Sequence, residues 1–451
     1  MFSFSRTSSR YHSSSSKLLS LPGRTLELID RGLRSVKGAQ YIIDLLLSRR
    51  TVTKLVLGHN PLSDDGCVHL FTFLGSPVGR QLPIAEISLN TNSIGNRGLA
   101  AISSYLIDNT TLTELFLQDN LFTSDPSTVT EFAHAINQSR LRLLSLTTNR
   151  SLADDFCETF LPALRSQYLH ELHLSAIGLT PRSAPYIAQY ITSVDRCKLH
   201  TFKCNGNSLG LRGVRMIVTG IERANFGLTA VVLYSNRCVV SGADSEDTDN
   251  DADGEARSYN PDAWKDIEKL LKQVLGRNTH LMKQTRREAL HLLVYSRAVL
   301  FDTKHPSEYA DSIISVARTY TTGFEFKRLP IEIQLHILSF LSPTLSSSQR
   351  ARIFDYASST STLPPLLPSM PGLLPRHTEP AVFSMCVPDP SITMTSSRSV
   401  PVWAMNNSGE AGCAPGKCMG MNSLLCNLDH HRNLWLEQVG CLAYDPGTEG
   451  G

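Results

Sequence analysis

One apolar phrase, L-x-x-L-x-L-x-x-N-x-L, recurs seven times between Val52 and Cys238. The copies begin at Val52, Ile84, Leu112, Leu141, Leu169, Leu199 and Leu228, with offsets of 32, 28, 29, 28, 30 and 29 residues. A fixed period in this range is the mark of stacked repeats. The fourth and sixth residues of each copy are apolar and the fifth faces the other way, which is the period of a short strand. One repeat cannot bury its first, fourth, sixth and eleventh positions alone, so the next must stack on it.

The ninth position is Asn60, Asn92, Asn120, Asn149, Asn207 and Asn236, with Ile177 as the exception. A side-chain amide offers two donors and an acceptor, which suits a chain turning off a strand with its backbone groups buried. After each turn the apolar spacing becomes helical, as in Leu62–Leu70, Ile94–Ile102 and Leu209–Ile217, with Ser63 or a nearby Asp expected to start the helix. The expected class is therefore α/β: a solenoid of parallel strands and helices, followed by a small all-α region.

The N-x-L-G-x-x-G pattern at Asn207, close at Asn92 and Asn60, resembles the leucine-rich repeats of the ribonuclease-inhibitor type. The Ran GTPase-activating proteins are similar in repeat type. The resemblance covers residues 25–240 and implies a horseshoe whose concave face binds a protein. It does not specify the partner, because the motif residues are those that build the core.

On that reading the third, fifth, seventh and eighth positions line the concave face. The candidates for partner binding are Lys54, His59, Glu86, Asn90, Glu114, Phe116, Gln118, Asp119, Glu171, His173, Lys203 and Tyr234. With strands about 4.8 Å apart, the sheet spans about 30 Å, enough for one protein partner.

Composition removes other classes. A net charge of +2 gives no reason to expect nucleic acid or a membrane surface as partner. The ten cysteines lack framework spacing, which favours a reducing compartment, cytoplasmic or nuclear. The apolar run Tyr41–Leu47 is too short to span a bilayer. No Ser-His-Asp or Cys-His arrangement and no phosphate-binding glycine loop is legible, and His59, His134 and His173 are separated by whole repeats or lie on helices. The expectation is no enzyme, no cofactor and no metal.

Six segments are expected. Residues 1–23, serine-rich with Arg6, Arg10 and Lys17, read as a disordered tail, an organellar presequence being the alternative. Residues 24–240 form the solenoid, with an atypical first repeat around the helix Ala39–Leu47 as its cap. Residues 241–260 are an acidic linker. Its Asp249-x-Asp251-x-Asp253-Gly254 start resembles a calcium loop, but Asn260 stands where the closing acid belongs. Residues 261–360 are helical, with amphipathic helices at Asp262–Leu275 and Thr279–Phe301 and with Arg286, Arg287 and Arg297 on the polar side. Residues 361–416 are a Pro/Ser-rich linker. Residues 417–451 are a helical tail returning Trp435 to the helical region, and the spacing of Cys413, Cys418, Cys426 and His430 is not that of a specific zinc site.

Within the helical region, Leu329-Pro-Ile-Glu-Ile-Gln-Leu-His-Ile-Leu-Ser-Phe-Leu341 resembles the opening of an F-box, the resemblance covering 327–357. It implies docking onto the Skp-type adaptor of a cullin–RING ubiquitin ligase through Leu329, Pro330, Ile333, Ile337, Leu338 and Leu341. The usual tryptophan of the second half is missing, and the segment follows the repeats instead of preceding them. The joining of these repeats to such a helical region resembles a group of fungal proteins. The functional expectation is a protein-binding module, possible receptor of a ubiquitin ligase. The alternatives are a small-GTPase activator of the Ran-activator type, whose acidic segment after the repeats is similar, and a pure scaffold.

Overall fold

A computed structural model describes residues 24–237, 263–300, 326–362 and 432–447. The expectations for the amino-terminal tail, the acidic linker with its calcium-like start, nearly all of 361–416 and the tail cysteines with His430 and His431 lie outside the described residues.

The chain is α/β, with eight parallel strands alternating with helices. The strands are β1 Thr25–Glu27, β2 Lys54–Val56, β3 Glu86–Ser88, β4 Glu114–Phe116, β5 Leu143–Ser145, β6 Glu171–His173, β7 Thr201–Lys203 and β8 Ala230–Val232. They pair in chain order, each in register with the next, so that Leu55, Ile87, Leu115, Leu144, Leu172 and Phe202 form one row. Between them run α1 Ser35–Ser48, α2 Ser63–Gly75, α3 Asn96–Leu106, α4 Pro126–Asn137, α5 Ala153–Ala163, α6 Ala184–Ile191 and α7 Gly210–Ala224.

The apolar positions of the phrase fill one continuous core. Val52, Leu55, Leu57 and Leu62 of the first copy are fully buried, and so are their counterparts in the second and third. In the fourth copy the eleventh residue, Ser151, is exposed and Leu152 takes its place in the core. β1 and α1 form the expected first unit, α1 burying Ala39, Ile42, Ile43 and Leu46 against the same core.

The asparagines form a ladder. The Asn60 amide donates to Leu28 O at 2.7 Å and Leu57 O at 2.9 Å, and its oxygen accepts from the Arg31 and Leu33 amides. Each amide thus ties its own turn to the preceding coil. Asn149 donates to Leu117 O and accepts from Asn120 N, and Asn207 accepts from the backbone of 177, 178 and 179. Ile177 leaves one rung empty and is itself fully buried.

The residue before the ninth position carries a backbone feature that the phrase does not announce. His59, Thr91, Asp119, Thr148, Ala176, Gly206 and Ser235 all lie at φ between 53° and 72°. This left-handed conformation ends each strand, and an L side chain is strained there.

The helix starts differ from expectation. Ser63 does not cap α2, which has no side-chain cap. Asp64 instead accepts from the Gly95 and Gly98 amides at 2.8 Å, satisfying the open start of the neighbouring α3. Asp154 does the same for the following unit through Thr180 and Ser183. At these two starts capping runs between coils and stitches the stack, whereas α4 is capped within its own coil by Asp125, which accepts from the Thr128 amide at 2.9 Å.

Beyond the sheet, the two expected amphipathic helices are one, α8, Ala263–Leu300. No proline interrupts it, and Arg277 and Asn278 anchor it just past Gly276. Arg277 donates to Glu222 O at 2.7 Å and to Asn225 O at 3.0 Å, and Asn278 donates to Leu228 O at 2.8 Å. The first half of α8 extends the sheet's core with Ile267, Leu271 and Val274.

Its second half builds a second core with α9 Ile331–Ser339, α10 Ser347–Ser358 and α11, a short helix over 432–438. Of the three arginines expected on the polar side, only Arg287 is exposed. Arg286 donates to Leu442 O, and Arg297 is buried over the Tyr356 ring with its guanidinium bonded to Thr362. Trp435 returns to this core as expected, fully buried against Tyr356.

Candidate interaction surfaces

The strands are only three residues long, so the third and fifth positions of the phrase define the sheet face turned away from the core. In-register pairing lines up the third positions as Lys54, Glu86, Glu114, Leu143, Glu171 and Thr201. The fifth positions line up as Val56, Ser88, Phe116, Ser145, His173 and Lys203.

Charges in these rows are mostly paired. Lys54 Nζ lies 2.6 Å from Glu86 Oε1. Glu171 Oε1 takes both His173 Nε2 at 2.6 Å and Lys203 Nζ at 3.1 Å. Burial pushes the Glu171 carboxyl up, but His173 and Lys203 outweigh it and hold it below its ordinary value. Glu114 has similar burial but no ion pair among the described residues. Burial, then Glu86 and more weakly Glu171, push its carboxyl up to about 7 against the pull of Lys54.

The sheet face is not uniformly open. Leu143, Ser145 and His173 in its middle are buried, so the histidine is a packed group in contact with Glu171 and not the exposed one expected. The remaining expected residues sit past the strand ends, on the turns. His59 and Asp119 are exposed in the left-handed position. The Asn90 side chain accepts from the Gln118 amide at 3.0 Å, and Gln118 in turn reaches Ser145 Oγ at 3.1 Å. Tyr234 is 59% exposed.

In the stretch 329–341, residues Ile331–Ser339 form α9, with Pro330 at its start. Its apolar residues split between two sides. Leu338 faces the second core and Leu335 packs against it. Ile331, Ile333, Ile337, Phe340 and Leu341 are exposed, Phe340 at 71%. Leu338 therefore belongs to its own fold and leaves the expected docking set. Leu329 is half-buried and Pro330 exposed.

A third surface was not legible as one. A cleft of about 1120 Å³ opens between the loops before β6, β7 and β8 and the segments 343–352 and 437–447. His170 and His200 stack in it, ring centroids 4.7 Å apart. Next to them Arg142 pairs with Glu437. Burial, then Arg142, pushes the His170 imidazole down to about 4. Burial, then His170, Arg286 and Arg142, pushes His200 to about 3, against the opposing charge of Glu437. Arg142, His170 and His200 share the second position of consecutive copies, and that recurrence was the available signal.

Among the described residues no group of three or more His, Cys, Asp or Glu side chains stands close enough to hold a metal ion. None of their helices is long and apolar enough to cross a membrane. No family model matches the chain, and no curated protein matches it.

Proposed function

We propose that the chain is a non-enzymatic interaction protein: a leucine-rich-repeat solenoid that holds a protein partner on its sheet face, concave in such solenoids, and an F-box-like helix that docks a Skp-type adaptor. The observation that carries the adaptor half is the outward apolar strip of Ile333 and Ile337 on α9 with Phe340 and Leu341 in the turn that follows it. Exposed apolar groups gathered on one helix face mark an interaction site. The repeat half is supported by the asparagine ladder and by an in-register parallel sheet.

The helix α8 gives the reading a mechanical basis. It packs on the last coil at one end and on α9 and α10 at the other, so the two surfaces are held in one fixed relation. A receptor that presents a bound substrate to a ligase needs that rigidity. The role has no chemistry of its own; it works by placing one protein beside another.

The test is retention of a purified Skp-type adaptor by the full chain and by Phe340→Asp. Retention by the wild type and loss in the variant is the expected result. An intact chain that holds no adaptor overturns the ligase reading, and stimulated GTP hydrolysis by a small GTPase would replace it.

A further inference from the structure

We infer that Glu114 receives a cationic side chain, Lys or Arg, of a protein partner laid across the sheet face. The inference rests on the sheet-face reading proposed above and names the partner's chemistry. It is carried by the third-position row, in which every charged residue except Glu114 has an ion-pair partner.

In-register parallel pairing sets neighbouring third-position residues about 4.8 Å apart. On one side of Glu114 stands Glu86, whose cation is Lys54. On the other stands Leu143, which cannot pair and which separates Glu114 from Glu171 and its two partners. The fifth-position neighbours Ser88, Phe116 and Ser145 are uncharged. Among the described residues Glu114 makes no ion pair and no side-chain hydrogen bond, and it is partly withdrawn from water.

A carboxylate in that position gains from one class of partner. A neutral or acidic segment would leave it unpaired or add like charge. A second copy presenting the same face would bring Lys54 and Lys203, which are already paired with Glu86 and Glu171 in their own sheet. Among the described residues a metal ion would find too few ligands nearby. A Lys or Arg supplies the missing charge. Half-buried Phe116, two residues along the strand, offers an aromatic wall to its aliphatic stem or guanidinium.

The test is selection of random dodecapeptides displayed on phage against the full chain at pH 8. Peptides that lose binding on Phe116→Ala define the sheet-face binders. The expected outcome is that they share a Lys or Arg and lose at least tenfold in affinity on Glu114→Gln. Replacing that basic residue by norleucine should then cost no further affinity in the variant. Sheet-face peptides without a basic residue, or binding that survives Glu114→Gln, overturn the inference and leave the sheet-face reading standing. Selection that yields no sheet-face peptide removes that reading and the inference with it. Self-association that Glu114→Gln abolishes makes a second copy the occupant and overturns the inference.

Discussion

The Asn278 side-chain amide donates to the Leu228 carbonyl at 2.8 Å and to the Asn225 carbonyl at 3.1 Å, so α8 supplies the last coil with the donors that the next coil would otherwise provide. Asn278 is fully buried. Replacing it by Leu removes the donor to the buried Leu228 carbonyl and one of the two donors to the Asn225 carbonyl, at a cost of about 1–3 kcal/mol. Urea unfolding of the variant should show a lower midpoint, and an unchanged midpoint would mean that α8 is not held there.

The same reasoning applies inside the stack. Asn149 bonds Leu117 O and Leu146 O and accepts from Asn120 N, joining two coils through one side chain. Asn149→Ala should cost about 1–3 kcal/mol. Thermal melts followed by circular dichroism check it.

Thr148 illustrates strain in the turns. It is exposed, has φ 65° and occupies the position where the seventh coil has Gly206. A left-handed L residue costs about 1–2 kcal/mol, which glycine avoids at a smaller entropic cost. Thr148→Gly should therefore stabilise the chain by about 0.5–1 kcal/mol in a denaturant titration.

Glu114 gives stability a pH dependence of known sign. Its carboxyl is raised from 4.5 to about 7 by burial first and by Glu86 next, with Lys54 opposing. The folded state thus keeps a proton that the unfolded chain gives up. The wild type carries no penalty below pH 4.5 and an increasing one as pH rises to about 7. Glu114→Gln should match the wild type near pH 4 and exceed it at pH 8 by about 1–2 kcal/mol, allowing for solvent screening. Paired melts at the two values decide the matter.

The stacked His170 and His200 act in the opposite direction. Their folded pKa values lie near 4 and 3, below the ordinary 6.5, because burial opposes the charge and Arg142 and Arg286 repel it while Glu437 favours it. The unfolded chain takes up protons first as pH falls. The stabilisation is complete above pH 6.5 and is lost progressively toward pH 4. His200→Gln should lose less melting temperature than the wild type between pH 7 and pH 5.

Leu338 and Phe340, two residues apart, separate folding from docking. Leu338 is buried in the second core, so Leu338→Asp should unfold that region and says nothing about a partner. Phe340 is 71% exposed, so Phe340→Asp should leave the melt unchanged and alter only adaptor retention. Far-ultraviolet spectra of the two variants provide the check.

The amino-acid sequence determined the repeat, because each copy has an apolar set that cannot be buried without a neighbour. Leu55, Ile87 and Leu115 could be assigned to a common core from spacing alone. The asparagine positions were legible for the same reason: the polar group recurs where the chain must leave the strand. The split of α9 into a buried Leu338 and an exposed Ile333 was not, since apolar residues on both sides of a helix look alike until a packing partner is present. Nor was the pairing of Arg142 with Glu437, 295 residues apart. Only the tertiary structure decided which charges of the sheet face find partners. Residue type sets a charge, but the register of neighbouring strands decides that Glu86 meets Lys54, Glu171 meets Lys203, and Glu114 is left without an ion pair among the described residues.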